Sequence, residues 1–112
     1  MKNLTAKAER VMSIATVYVA NRSRRNRALI RERKAMFRRD ENLKSIAEQH
    51  GDADVTVSTV MEFAEMAVKA NRMMKRAKYI AESCEARMKI LTEDLEEILT
   101  PTPPPLDPRI PW

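Results

Sequence analysis

The stretch that decides the fold is 63–98, which reads FAEMAVKANRMMKRAKYIAESCEARMKILTEDLEEI. Apolar residues recur there at every third and fourth position, and none of the eleven repeat positions carries a charge. This period predicts a long helix with a continuous seam for a second helix. Because a stripe at this spacing is ordinarily core, it does not indicate a cofactor site. The seam residues are Phe63, Ala67, Ala70, Met74, Ala77, Ala81, Cys84, Met88, Leu91, Leu95 and Ile98.

The strongest chain-breaking residues are confined to two places. The single glycine is Gly51, and all six prolines lie in 101–111. This distribution predicts an all-α fold, a long antiparallel helical hairpin of coiled-coil type followed by an extended proline-rich tail. We expect helix 1 over about 3–49, a turn over about 50–56, helix 2 over about 57–99 and the tail over 101–112. Thr59 and Glu62 have the spacing of a capping box for helix 2, and the alternative is an earlier start of the helix near Asp54.

Composition agrees with long amphipathic helices. Of the 112 residues, 44% are apolar, 33% are charged and only 4% are aromatic. A two-helix hairpin of this length forms one domain and buries a smaller share of its surface than a compact globule does. We therefore expect protein partners, either further copies of the chain in a homo-oligomer or another protein.

Helix 1 shows the same period less regularly. Its predicted inward face includes Leu29, Met36 and Leu43, but Arg22 and Arg25 occupy turns where apolar residues are due. If the hairpin pairs about Gly51, these arginines lie opposite Glu82 and Glu85. Arginine–glutamate pairs across the hairpin are then expected, with more effect on register than on stability.

A second apolar strip lies outside the seam. One partner helix cannot cover both the seam and this strip, and exposed apolar area of that extent usually marks an interface. The strip predicts association into a bundle or docking on another protein. Its residues are Ile30 and Phe37 on helix 1 and Val57, Met61, Ala64 and Val68 on helix 2.

A basic stripe runs along helix 1. Between residues 22 and 39 there are nine cationic residues and one acidic residue, and the chain carries a net charge of +5. Steps of three and four residues place five of the cations on one helical face, where they would meet nucleic acid or an acidic protein face. Tyr18 and Phe37 are expected toward the apolar side, which weakens an RNA-binding interpretation. The stripe consists of Arg24, Arg27, Arg31, Lys34 and Arg38.

The proline-rich tail is stiff and carries spaced anchors. Prolines hold such a segment in an extended conformation that loses little entropy on docking. Leu106, Arg109, Ile110 and Trp112 are the predicted docking residues, and the alternative is a solubilising terminus.

The sequence offers little for catalysis. His50 is the only histidine and has no metal-ligating partner at a suitable spacing, while Cys84 falls on the apolar seam. Residues 52–63 resemble a calcium loop, but Val57 and Phe63 replace its glycine and its last glutamate. We expect no enzyme activity, metal, cofactor or small-molecule substrate.

The composition and the motifs predict a general class of function and a location. The leading interpretation is a helical interaction and assembly protein without a membrane span, in the cytoplasm of a cell or, if it is virally encoded, within a virus particle. Two alternatives stay open: a nucleic-acid-binding protein that uses the basic stripe, and a small inhibitor whose tail blocks a partner.

Overall fold

The computed structural model describes residues 5–100, which form two long helices packed as a hairpin. Helix α1 spans Ala6–Glu48 and helix α2 spans Val57–Leu99, each with 43 residues. At a rise of about 1.5 Å per residue each helix is about 65 Å long. The predicted all-α hairpin is confirmed, whereas the predicted tail over 101–112 lies outside the described residues.

Threonine hydroxyls cap both helices at their N-termini. Thr5 Oγ1 accepts a hydrogen bond from the Ala8 amide at 3.1 Å, and Thr56 Oγ1 accepts one from the Thr59 amide at 3.2 Å. Each bond satisfies an amide that has no partner within its own helix. The expectation that Thr59 caps α2 is therefore wrong. Thr56 is the cap, and Thr59 is the third residue of the helix.

The turn between the helices depends on Gly51. Its φ of +87° lies in the left-handed region, where residues with a Cβ are strained. The Asp52 amide then donates to the Gln49 carbonyl at 3.0 Å, and Asp52 Oδ1 accepts from the Asp54 amide at 2.9 Å. These bonds carry the chain from the end of α1 to the cap of α2.

Helix α2 buries its predicted seam against α1. Six of the eleven seam positions are buried, and the other five are half-buried. Most of the buried side chains are small, and Cys84 at 1% exposure is the most enclosed. The buried members are Ala67, Ala70, Ala77, Ala81, Cys84 and Met88.

Helix α1 presents a different face from the predicted one. Ile14, Asn21, Ala28 and Ala35 are its buried residues, spaced by seven. Leu29 is half-buried, while Met36 and Leu43 are 37% and 50% exposed. The physical reason is size: alanine occupies four of the six buried positions of the α2 seam, and such a surface packs most closely against other small residues. The larger side chains of α1 are displaced to the flank.

The second row of the α1 seam is polar at its centre. Arg25, Glu32 and Arg39 are half-buried there, because long charged side chains can bury their stems and keep their ends in water. Arg39 Nη1 donates to Asn71 Oδ1 at 3.0 Å and contacts Met74 Sδ at 3.3 Å. Among residues 5–100 these are the only hydrogen-bonded contacts between the two helices.

The predicted arginine–glutamate pairs across the hairpin are wrong. Within residues 5–100 the ion pairs are Arg39–Asp40 and Lys44–Glu48, both local. Arg25 instead donates two hydrogen bonds to Asn26 Oδ1, at 3.1 and 3.3 Å. Glu82 and Glu85 are exposed on α2, so their carboxylates remain in water and do not meet the half-buried Arg25.

Candidate interaction surfaces

One flank of the hairpin carries a groove between the helices, lined by cations from both. Arg24, Arg31, Lys34 and Arg38 of the predicted basic stripe lie along its α1 side, whereas Arg27 is exposed and does not line it. Helix α2 contributes three more cations, which were not predicted to form a surface. We call this surface the basic groove, and its α2 cations are Lys69, Arg76 and Arg87.

The floor of the basic groove is apolar and continuous. Ala35 of α1 and Ala70 and Ala77 of α2 form its deepest part. Beside them, Met66, Met73 and Ile80 form a row spaced by seven residues along α2. Met66 and Met73 are nearly half exposed, so this apolar row faces solvent between two rows of cations.

None of the seven cations of the basic groove forms an ion pair with another residue in 5–100. Glu41 is the acidic residue at its edge, near the turn. Like charges at this density repel each other, and the repulsion falls when an anionic group binds. The groove is therefore suited to an anionic partner that also has an apolar face.

Two exposed aromatic residues border the basic groove. Phe37 lines the surface formed with Arg33, Lys34 and Arg38, and Tyr79 lies with Arg24 and Arg87 at the other end. The expectation that Phe37 lies toward the apolar side is therefore wrong. In the structure Phe37 projects beside the arginines, because the rotation that brings Ala28 and Ala35 inward also moves Phe37 toward them.

The opposite flank is largely apolar in the half of the hairpin near the turn. The seam positions place Leu29, Met36 and Leu43 of α1 on this side together with part of the second apolar strip. Val57 is 79% exposed, and Met61 and Val68 are about half exposed. We call this surface the apolar flank, formed by Leu29, Met36, Leu43, Val57, Met61, Ala64 and Val68.

The predicted second strip is not one surface in the structure. Ile30 and Phe37 are 52% and 66% exposed on the outer side of α1, and Phe37 belongs to the edge of the basic groove. Its α2 members Met61, Ala64 and Val68 share a shallow depression with Glu65, Lys69 and Arg72. Only the α2 members therefore contribute to the apolar flank.

Two further candidate residues of the described range, Cys84 and His50, are not among the residues that define either surface. Cys84 is a buried free cysteine, and His50 is exposed in the turn. Within residues 5–100 there is no group of three or more His, Cys, Asp or Glu residues that could hold a metal ion. In the same residues neither helix contains an apolar stretch that would span a lipid bilayer. The predicted docking residues Leu106, Arg109, Ile110 and Trp112 lie outside the described part of the chain.

Comparison with known proteins found no matching family model, no matching curated protein and no matching solved structure.

Proposed function

We propose that this chain is a non-enzymatic helical assembly protein that associates with further copies of itself through the apolar flank. The observation that carries the proposal is the distribution of apolar side chains. The hairpin encloses mainly alanine and Cys84, whereas fifteen large apolar side chains in residues 5–100 are left exposed. A fold that leaves its largest apolar groups in water gains most by covering them with another protein surface.

A second copy is the partner that suits the apolar flank. The flank carries apolar side chains from both helices, so two copies related by a two-fold axis would each offer the other the same surface. Association there would complete a four-helix bundle, in which each helix packs against two neighbours. The methionines, Met36 and Met61, can adapt their conformations to such an interface.

The test is the mass of the chain in solution. Multi-angle light scattering should give a multiple of the 12.9 kDa chain mass for the wild type. The double variant Val57→Asp/Val68→Asp should return the mass toward 12.9 kDa, because each aspartate would be desolvated in the interface.

A matched control separates the flank from a general effect of added charge. Val17 and Ile90 are also about half exposed but do not belong to the apolar flank, so Val17→Asp/Ile90→Asp should leave the mass unchanged. A monomeric wild type at micromolar concentration would refute the proposal. Equal loss of mass in both double variants would refute the assignment to this flank.

A further inference from the structure

We infer that the basic groove is a docking site for an acidic amphipathic helix of a partner protein. The partner chemistry follows from two features that occur together: an exposed apolar row on the floor and unpaired cations on both sides. This site is on the flank opposite the proposed self-association and does not depend on it.

The spacing of the apolar residues on the floor of the groove favours a helix as the bound partner. Met66, Met73 and Ile80 recur every seven residues, which is the spacing that a packed helix covers with its own apolar positions. Ala35 and Ala77 beside this row leave room for a third helix to approach the junction of α1 and α2. The occupied groove would be a three-helix arrangement in which the apolar row is covered.

The cations along the two sides of the groove favour acidic residues on that helix. Arg24, Arg31 and Arg38 lie at seven-residue steps on α1, and Arg76 and Arg87 lie on the α2 side. A partner with an apolar stripe flanked by glutamate or aspartate would place carboxylates beside both rows. From Arg24 to Arg38 the rim is about 21 Å long, which corresponds to about four turns of a partner helix.

A nucleic-acid backbone would contact the cations of this surface but not its apolar floor. Phosphates would pair with the arginines, but they would leave Met73 and the neighbouring apolar row beneath a charged ligand. Phe37 and Tyr79 could stack on bases, yet one lies on each helix and neither lines the deepest part of the groove. An amphipathic helix covers the apolar row and the cations at once, so we assign the groove to protein.

The binding experiment uses a fluorescein-labelled helical peptide of about three heptads with leucine at the a and d positions and glutamate beside them. Fluorescence anisotropy should detect its binding to the full chain. Two companion peptides, one with lysine in place of glutamate and one with glutamine in place of leucine, should bind at least about tenfold more weakly. Equal binding of the leucine-free acidic peptide would overturn the inference, since charge alone would then suffice.

Variants of the protein locate the site. Arg31→Glu/Arg76→Glu should weaken peptide binding at least about tenfold. Lys75→Glu/Lys89→Glu makes the same change in charge on exposed residues that do not line the groove, and it should have little effect. Equal effects of the two double variants, or no effect of the first, would overturn the inference.

Met73→Gln distinguishes a protein partner from nucleic acid. It removes apolar character from the floor without changing charge, so it should weaken peptide binding and leave any binding of single-stranded RNA or duplex DNA unchanged. Binding of oligonucleotides through Arg31 and Arg76 without binding of the peptide would overturn the inference. Helix content by circular dichroism verifies that each variant is folded, and light scattering should show unchanged mass, so a failure here is distinct from a failure of self-association.

Discussion

The close approach of the two helices makes a definite prediction for Ala81→Leu. Ala81 is 2% exposed, belongs to the α2 seam and lines none of the surface grooves. Leucine adds three carbons, which would stabilise the fold by about 2.4 kcal/mol if space were available, at about 0.8 kcal/mol per carbon. Without space, overpacking costs about 1 to 3 kcal/mol. The sign of the change therefore reports whether the helices are in close contact at this position.

We expect a destabilisation of about 1 to 3 kcal/mol, because Ala81 is enclosed and its seam neighbours Ala77 and Cys84 are buried as well. In a domain of this size each kcal/mol corresponds to a fall of about 4–8 °C in Tm. Thermal unfolding followed by circular dichroism at fixed protein concentration measures the shift, since self-association would make Tm depend on concentration.

Ala86→Leu is the matched control. Ala86 is exposed on the same helix, so the substitution makes the same change in helix propensity without touching the seam. Its effect should stay within about 0.5 kcal/mol. A Tm for Ala81→Leu above that of the wild type would refute the reasoning, because it would show that the seam accommodates a large side chain.

Two further predictions concern the turn and the buried polar residue. Gly51→Ala should destabilise the hairpin by about 1–2 kcal/mol because of the positive φ alone, since an added Cβ would meet nothing within 4 Å. Gly51→Asn should cost less, and equal Tm values for Gly51→Ala and the wild type would contradict the role of the backbone. Asn21 is 8% exposed, and its Nδ2 donates to the Val17 carbonyl of its own helix at 2.9 Å. Asn21→Leu should therefore leave Tm unchanged or raise it, and a fall of more than about 1 kcal/mol in denaturant-unfolding free energy would show that Asn21 has a stabilising role across the hairpin.

Helix α2 and the hairpin could be predicted from sequence because the seam from Phe63 to Ile98 is uninterrupted and Gly51 stands alone. The orientation of α1 could not. Leu29 and Met36 outweigh Ala28 and Ala35 in hydrophobicity, but the small seam of α2 favours the smaller pair. The rotation of α1 depends on the size of the residues that α2 presents to it. The periodicity of α1 alone carries no information about those residues.

The basic groove was half predictable. The stripe on α1 was visible as a run of arginines, whereas Lys69, Arg76 and Arg87 are separated by seven and eleven residues along α2 and do not form a run. Counting heptad positions outward from the α2 seam would have placed Met66, Met73 and Ile80 in one row, with Arg87 as the next member. The groove itself exists only where the two helices meet, so its combination of charge and apolar floor required their relative rotation.

The length of the helices also determines how the molecule moves. The radius of gyration is 25.5 Å, about twice the value of about 13 Å for a globular chain of this size. Such a rod rotates slowly end over end and quickly about its long axis. Because the backbone N–H bonds of both helices point along that axis, their nitrogen relaxation should report mainly the slow rotation. Both helices should then give one common ratio of longitudinal to transverse relaxation time, higher than that of a sphere of the same mass.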